Sequence, residues 1–130
     1  MRKDELGNKN EKAQKQIEII NLLIDHKAEV NIQDIYNATP LHYLASEADS
    51  QVLIFLIDHG AKFDLITKNG QTPLHFASRS GNYQVVELLI NKGADINVKD
   101  LKGNTPLMLA QNSKKNNDDV VRILLEHGAK

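Results

Sequence analysis

Blocks of aliphatic residues return along the chain at near-constant spacing. They are Ile17, Ile19, Ile20, Leu22, Leu23 and Ile24; Val52, Leu53, Phe55, Leu56 and Ile57; Val85, Val86, Leu88, Leu89 and Ile90; and Val120, Val121, Ile123, Leu124 and Leu125. Within a block the apolar positions cover most of a helical circumference, which predicts helices buried between neighbours on both sides. A small marker follows each block: Lys27-Ala28, Gly60-Ala61, Gly93-Ala94 and Gly128-Ala129. The first three alanines fall 33 residues apart and the last arrives two residues late. Glycine at the marker fits a left-handed helix end, where a Cβ would clash. Lys27 stands there in the first copy, at about 1 kcal/mol.

A second pattern keeps the same step. Thr39-Pro40-Leu41-His42, Thr72-Pro73-Leu74-His75 and Thr105-Pro106-Leu107-Met108 precede the aliphatic blocks. Threonine is a good N-cap, and proline at the first helical position loses nothing because its N–H would be unpaired anyway. Short helices are therefore predicted over 41–47, 74–80 and 107–113, each followed by a turn into a longer helix. Extended pieces are predicted over 29–32, 62–65 and 95–98, then tight turns at Asn37, Gly70 and Gly103, residues that tolerate positive φ. Asn10 is the expected cap of a helix over 11–25. A period in this range means stacked supersecondary units.

These residues resemble the ankyrin repeat, whose signature includes Gly-x-Thr-Pro-Leu-His-x-Ala and Gly-Ala-Asp-x-Asn. Gly70 to Ala77 and Gly93 to Asn97 match it almost throughout, and the resemblance spans roughly residues 17–129. The fold class it implies is mostly α: an ankyrin-repeat solenoid of helix-turn-helix units joined by short β-hairpin turns. The expected units of the one domain are an N-terminal cap over 1–33, repeats over 34–66 and 67–99, and a C-terminal repeat over 100–130. The first unit lacks Thr-Pro-Leu-His. The last replaces histidine with Met108 and carries a two-residue insertion within 112–119, a polar run expected to be a solvated loop. The final helix offers Arg122, Glu126 and His127 as thin polar cover for its outer face, so that face is expected either to be contacted or to fray.

Composition narrows the class of function. The chain has 41% hydrophobic and 25% charged residues but only 5% aromatics, so its core must be aliphatic. There is no cysteine, which removes disulfides and thiolate metal sites. A net charge of −1 gives no footprint for nucleic acid or anionic membrane. The start has no apolar region of a secretory signal and no run spans a bilayer, so a cytoplasmic location is expected.

The candidate chemistry reads as structure. The resemblance implies that His42 and His75 hydrogen-bond a threonine hydroxyl, and His26, His59 and His127 are placed at helix C-termini, where the dipole favours them. Repeat-equivalent histidines lie about 8–10 Å apart, too far to share a zinc that holds nitrogens at about 2 Å. Ser46, Ser78 and Ser80 lack a nucleophile context, and Asp118-Asp119 reads as capping acid in a loop. Asn37-Ala38-Thr39 matches a glycosylation sequon but needs Thr39 as a cap. Lys68, Arg79, Lys99 and Lys102 are matched by Asp34, Glu47 and Asp100 in comparable places. No catalytic residue, metal or cofactor is therefore assigned, and an enzyme is not expected.

The positive reading is recognition of another protein. The resemblance implies contact at the turn tips and on the exposed side of the short helices. In the second unit these are Ile35, Tyr36, Ala38, Ser46 and Glu47. In the third they are Lys68, Asn69, Gln71, Arg79 and Ser80, and in the fourth Leu101, Lys102, Asn104, Asn112 and Ser113. Apolar Ile35, Tyr36 and Leu101 at tips either anchor an interface or, for Ile35 and Tyr36, fold back onto the first unit. Alternatives of other classes are an inhibitor or regulatory subunit of an enzyme (a host-directed effector included), a small-molecule-binding solenoid and a structural spacer. A monomer is expected unless the last helix self-associates.

Overall fold

A computed structural model describes residues 29–114 and 117–130. The expected helix over 11–25 and most of the N-terminal cap over 1–33 fall outside them. Six helices follow in order: α1 Pro40–Glu47, α2 Ser50–Asp58, α3 Pro73–Ser80, α4 Tyr83–Asn91, α5 Pro106–Asn112 and α6 Asp118–Glu126. They form three pairs, with α1, α3 and α5 packed side by side in one layer and α2, α4 and α6 in the other. The two helices of a pair are nearly equal, eight and nine residues in α1 and α2, so "short" and "long" overstated the difference. None of the described helices is long and apolar enough to cross a membrane.

Leu41, Leu53, Leu56, Leu74, Val85, Val86, Leu89 and Leu124 are buried, and alanines at 45, 77 and 110 let neighbouring helices approach closely. Each fully buried aliphatic side chain contributes about 1.5–3 kcal/mol. Because every pair shares its core with the next, the units stabilise one another rather than folding alone.

Helix starts follow the predicted chemistry. The Oγ1 of Thr39, Thr72 and Thr105 accept from the backbone N–H of His42, His75 and Met108, at 3.4, 3.4 and 3.3 Å. In the first two copies the histidine ring completes the box, its Nδ1 accepting the threonine N–H at 3.0 Å. Thr72→Ala is expected to lower stability by about 1 kcal/mol through loss of this cap. Urea unfolding checks it, and a midpoint equal to wild type contradicts the cap role.

The turns depart from one expectation: no strand forms among the described residues. Each hairpin closes with one backbone bond of this kind, Asp34 N–H to Ala38 O, Thr67 N–H to Gln71 O and Asp100 N–H to Asn104 O. That is too few bonds for a ladder. The tips do take positive φ, at Asn37 (60°), Gly70 (77°) and Gly103 (81°). Gly70 also has a packing reason, since a Cβ there would stand 3.1 Å from Leu101 N.

One reading of the C-terminal pair needs correction. The run over 112–119 is not simply a solvated loop, because Asn117 is buried and Asp118 and Asp119 form the first turn of α6. Asn117 Nδ2 donates to Ser78 O and Arg79 O, as Asn82 Nδ2 donates to Ala45 O and Ala48 O one pair earlier. This equivalence puts the insertion between Ser113 and Asn117. The outer face of α6 keeps Leu125 53% exposed beside its polar residues. Val120, Ile123 and Leu124 turn inward, while Arg122 lies 3.6 Å from Asp119 and 3.5 Å from Glu126.

Candidate functional site: the row of turn tips and the face of the first helices

The three tips are tied edge to edge. Lys68 N–H donates to Tyr36 O and Leu101 N–H donates to Asn69 O, both at 2.9 Å. These bonds fix Ile35-Tyr36, Lys68-Asn69 and Leu101-Lys102 in one continuous row. Each turn is braced internally. Asp34 Oδ1 accepts from the N–H of Tyr36 and Ala38, and Asp100 Oδ1 accepts from the N–H of Lys102 and Asn104, at 2.8–2.9 Å. Thr67 does the same work in the middle turn, its Oγ1 accepting from Asn69 and Gln71.

Ile35, Tyr36 and Leu101 are 74%, 63% and 78% exposed, and most of the first unit, the alternative seat for Ile35 and Tyr36, lies outside the described residues. Lys68, Asn69, Arg79, Lys102, Glu47 and Asn112 are also exposed. Other members of the expected set sit differently. Ala38 and Gln71 are buried, and Gln71 Nε2 donates to Asp100 Oδ2 at 3.0 Å, linking two turns. Asn104 is half-buried against its own Asp100. The hydroxyls of Ser46 and Ser80 turn back onto their helices, donating to Tyr43 O and Ala77 O, and Ser113 is half-buried.

Tyr43 and Phe76 belong to this face and were missed from sequence. They meet edge to face at 6.3 Å, and the Arg79 guanidinium carbon lies 5.3 Å from the Phe76 ring centre. Both occupy the variable position after the histidine in Thr-Pro-Leu-His, with Leu109 as the third copy. Aromatics are scarce in this chain, and two of them at one repeat position were the available signal. The Tyr43 hydroxyl donates to Asp34 Oδ2, which holds the Asp34 carboxyl below the usual range and raises the tyrosine above its own.

His42 and His75 lie beneath the row. Each ring contacts its threonine hydroxyl through Nδ1, at 2.8 and 2.9 Å, and its Nε2 donates to the next turn, to Gln71 O or Asn104 O, at 3.0 Å. Burial pushes both pKa values down, so the neutral ring with its proton on Nε2 fits both sets of bonds. His59 and His127 instead donate Nδ1–H to carbonyls one helical turn back, Phe55 O and Ile123 O, at 2.8 Å. Among the described residues no three His, Cys, Asp or Glu side chains gather as a metal site.

Helix pairs stacked at a fixed period, clamped by buried histidines and ending in a tied row of turns, define a helical-repeat solenoid that presents a surface. The family model for ankyrin repeats (three copies) matches residues 11–100, and that for a single ankyrin repeat matches residues 102–130. The chain belongs to the ankyrin repeat family, whose repeats are generally protein–protein interaction modules. Comparison with curated proteins gives no match.

Proposed function

We propose that the protein works without catalysis, capturing a partner protein on its row of turn tips and the adjoining face of α1, α3 and α5. The observation that carries this is the exposure of Ile35, Tyr36 and Leu101 on turns whose backbones are already fixed to one another. Large apolar groups at such positions fill no core, and a pre-ordered backbone lowers the entropy lost on association. Tyr43, Phe76 and the stacked Arg79 add side chains of the kind that anchor interfaces. The buried histidines and threonines hold this face in shape.

Tyr36→Ala combined with Leu101→Ala is expected to abolish capture of the partner recovered by affinity purification, with the circular dichroism spectrum and melting curve unchanged. Capture undiminished in the double variant would remove these tips from the site.

A further inference from the structure

Lys68, Arg79 and Lys102 look balanced by Asp34, Glu47 and Asp100 along the sequence, but the folded chain withdraws Asp100 from the surface. Asp100 is 7% exposed, and its carboxylate is occupied by Gln71 Nε2 and by the N–H groups of Lys102 and Asn104. The Asp34 carboxylate receives the Tyr43 hydroxyl and the N–H groups of Tyr36 and Ala38. The three cations are exposed, and among the described residues none has a carboxylate within ion-pairing distance. Lys68 and Lys102 stand on neighbouring tips joined by the Leu101–Asn69 bond, and Arg79 rests against the Phe76 ring. On the tips and first helices the exposed cations thus stand on the α3–α4 and α5–α6 pairs and the exposed Asp34 on the tip of the α1–α2 pair, while Glu87, Asp118, Asp119 and Glu126 lie on the second helices.

We propose that this face receives an acidic peptide segment of the partner, carboxylates over Lys68, Arg79 and Lys102 and an apolar side chain over Tyr36, Tyr43 and Phe76. The proposal rests on the protein-capture reading above and specifies its partner. Complementary charge fixes register and suppresses wrong partners more than it adds affinity. Here the exposed carboxylate of Asp34 disfavours carboxylates at one end, so the segment has a direction. Packed helices repeat at about 8–10 Å and an extended chain advances about 3.3–3.6 Å per residue. One carboxylate about three residues from the apolar anchor therefore meets the middle pair, and another about six residues away meets the last. A nucleic-acid strand would lay uniform negative charge across Asp34 as well.

The test is selection of displayed random peptides of twelve residues on the full chain. Each selected peptide is then measured by fluorescence anisotropy against wild type, Lys68→Glu/Arg79→Glu/Lys102→Glu and Tyr36→Ala/Leu101→Ala. The expected result is peptides with at least two Asp or Glu spaced from an aromatic or aliphatic anchor, bound about tenfold or more weaker by the charge-reversed protein and weakened by salt. Circular dichroism confirms that the charge-reversed protein folds, as its three positions are exposed. Neutral or basic peptides that lose binding in Tyr36→Ala/Leu101→Ala but not on charge reversal overturn the acidic class and leave the protein-capture reading intact. Failure to select any peptide that depends on either set overturns both. A single-stranded oligonucleotide of twelve nucleotides bound tighter than the selected peptides overturns the proposal in favour of nucleic acid.

Discussion

Replacing His75 with alanine is expected to destabilise the stack by about 3–5 kcal/mol, the sum of a buried cavity and of the Thr72 N–H and hydroxyl left without the Nδ1 acceptor. The ring is 0% exposed, accepts the Thr72 N–H on one side and donates to Asn104 O of the next pair on the other, both at 3.0 Å. Its loss therefore weakens a helix start and the contact between pairs together. Met108, at the equivalent position, is 37% exposed and carries no such link, so Met108→Ala should change the urea midpoint far less. A second readout comes from pH. His75 and His42 have pKa values lowered by burial, whereas the unfolded rings titrate near about 6.5. Between the folded and unfolded values the unfolded chain binds more protons. Stability is thus fully present above about pH 6.5 and is lost as pH falls below it, by at most about 1.4 kcal/mol per pH unit for each ring. His75→Ala should flatten that acid dependence by roughly half. An unchanged slope would contradict the neutral, buried ring.

Gly81→Ala is expected to cost about 3 kcal/mol. The residue ends α3 at φ 81°, and an added Cβ would stand 2.4 Å from Asn117 Oδ1. Left-handed backbone accounts for roughly 1–2 kcal/mol in a non-glycine residue. The remainder is displacement of Asn117, whose Nδ2 donates to Ser78 O, Arg79 O and Ala110 O from a buried position. Gly103 separates the two contributions, because it has the same φ of 81° with nothing within 4 Å of the added Cβ. Gly103→Ala should therefore cost only the strain. The clash also predicts coupling: Gly81→Ala and Asn117→Ala combined should destabilise less than the sum of the single changes, by about 1 kcal/mol or more. Equal losses at Gly81 and Gly103, with strict additivity at Asn117, would contradict this packing.

Most of the architecture was legible because each device acts locally and repeats. Thr-Pro marks a helix start by capping chemistry alone, and Asn37, Gly70 and Gly103 mark turns through the one backbone region they share. What was hidden depends on contacts between pairs. Asn117 is polar and sits in a polar run, yet it is buried because its amide reaches carbonyls some forty residues earlier. Only its equivalence to Asn82 across a two-residue insertion signalled this. Gln71 is buried for a similar reason, its amide spent on Asp100 of the next turn. For the candidate site, the exposed tips followed from turn chemistry, while Tyr43 and Phe76 required knowing which side of α1 and α3 faces outward. The charge balance misled for the same reason, since Asp100 counts as a surface acid until its burial and its bond to Gln71 are seen.

Hydrogen–deuterium exchange on the complex with the captured partner tests the central claim most directly. Protection is predicted at the turns over 34–37, 67–70 and 100–103 and along α1, α3 and α5, with α2, α4 and α6 unchanged. Protection confined to α2, α4 and α6, with the turn tips exchanging as in the free protein, would contradict it.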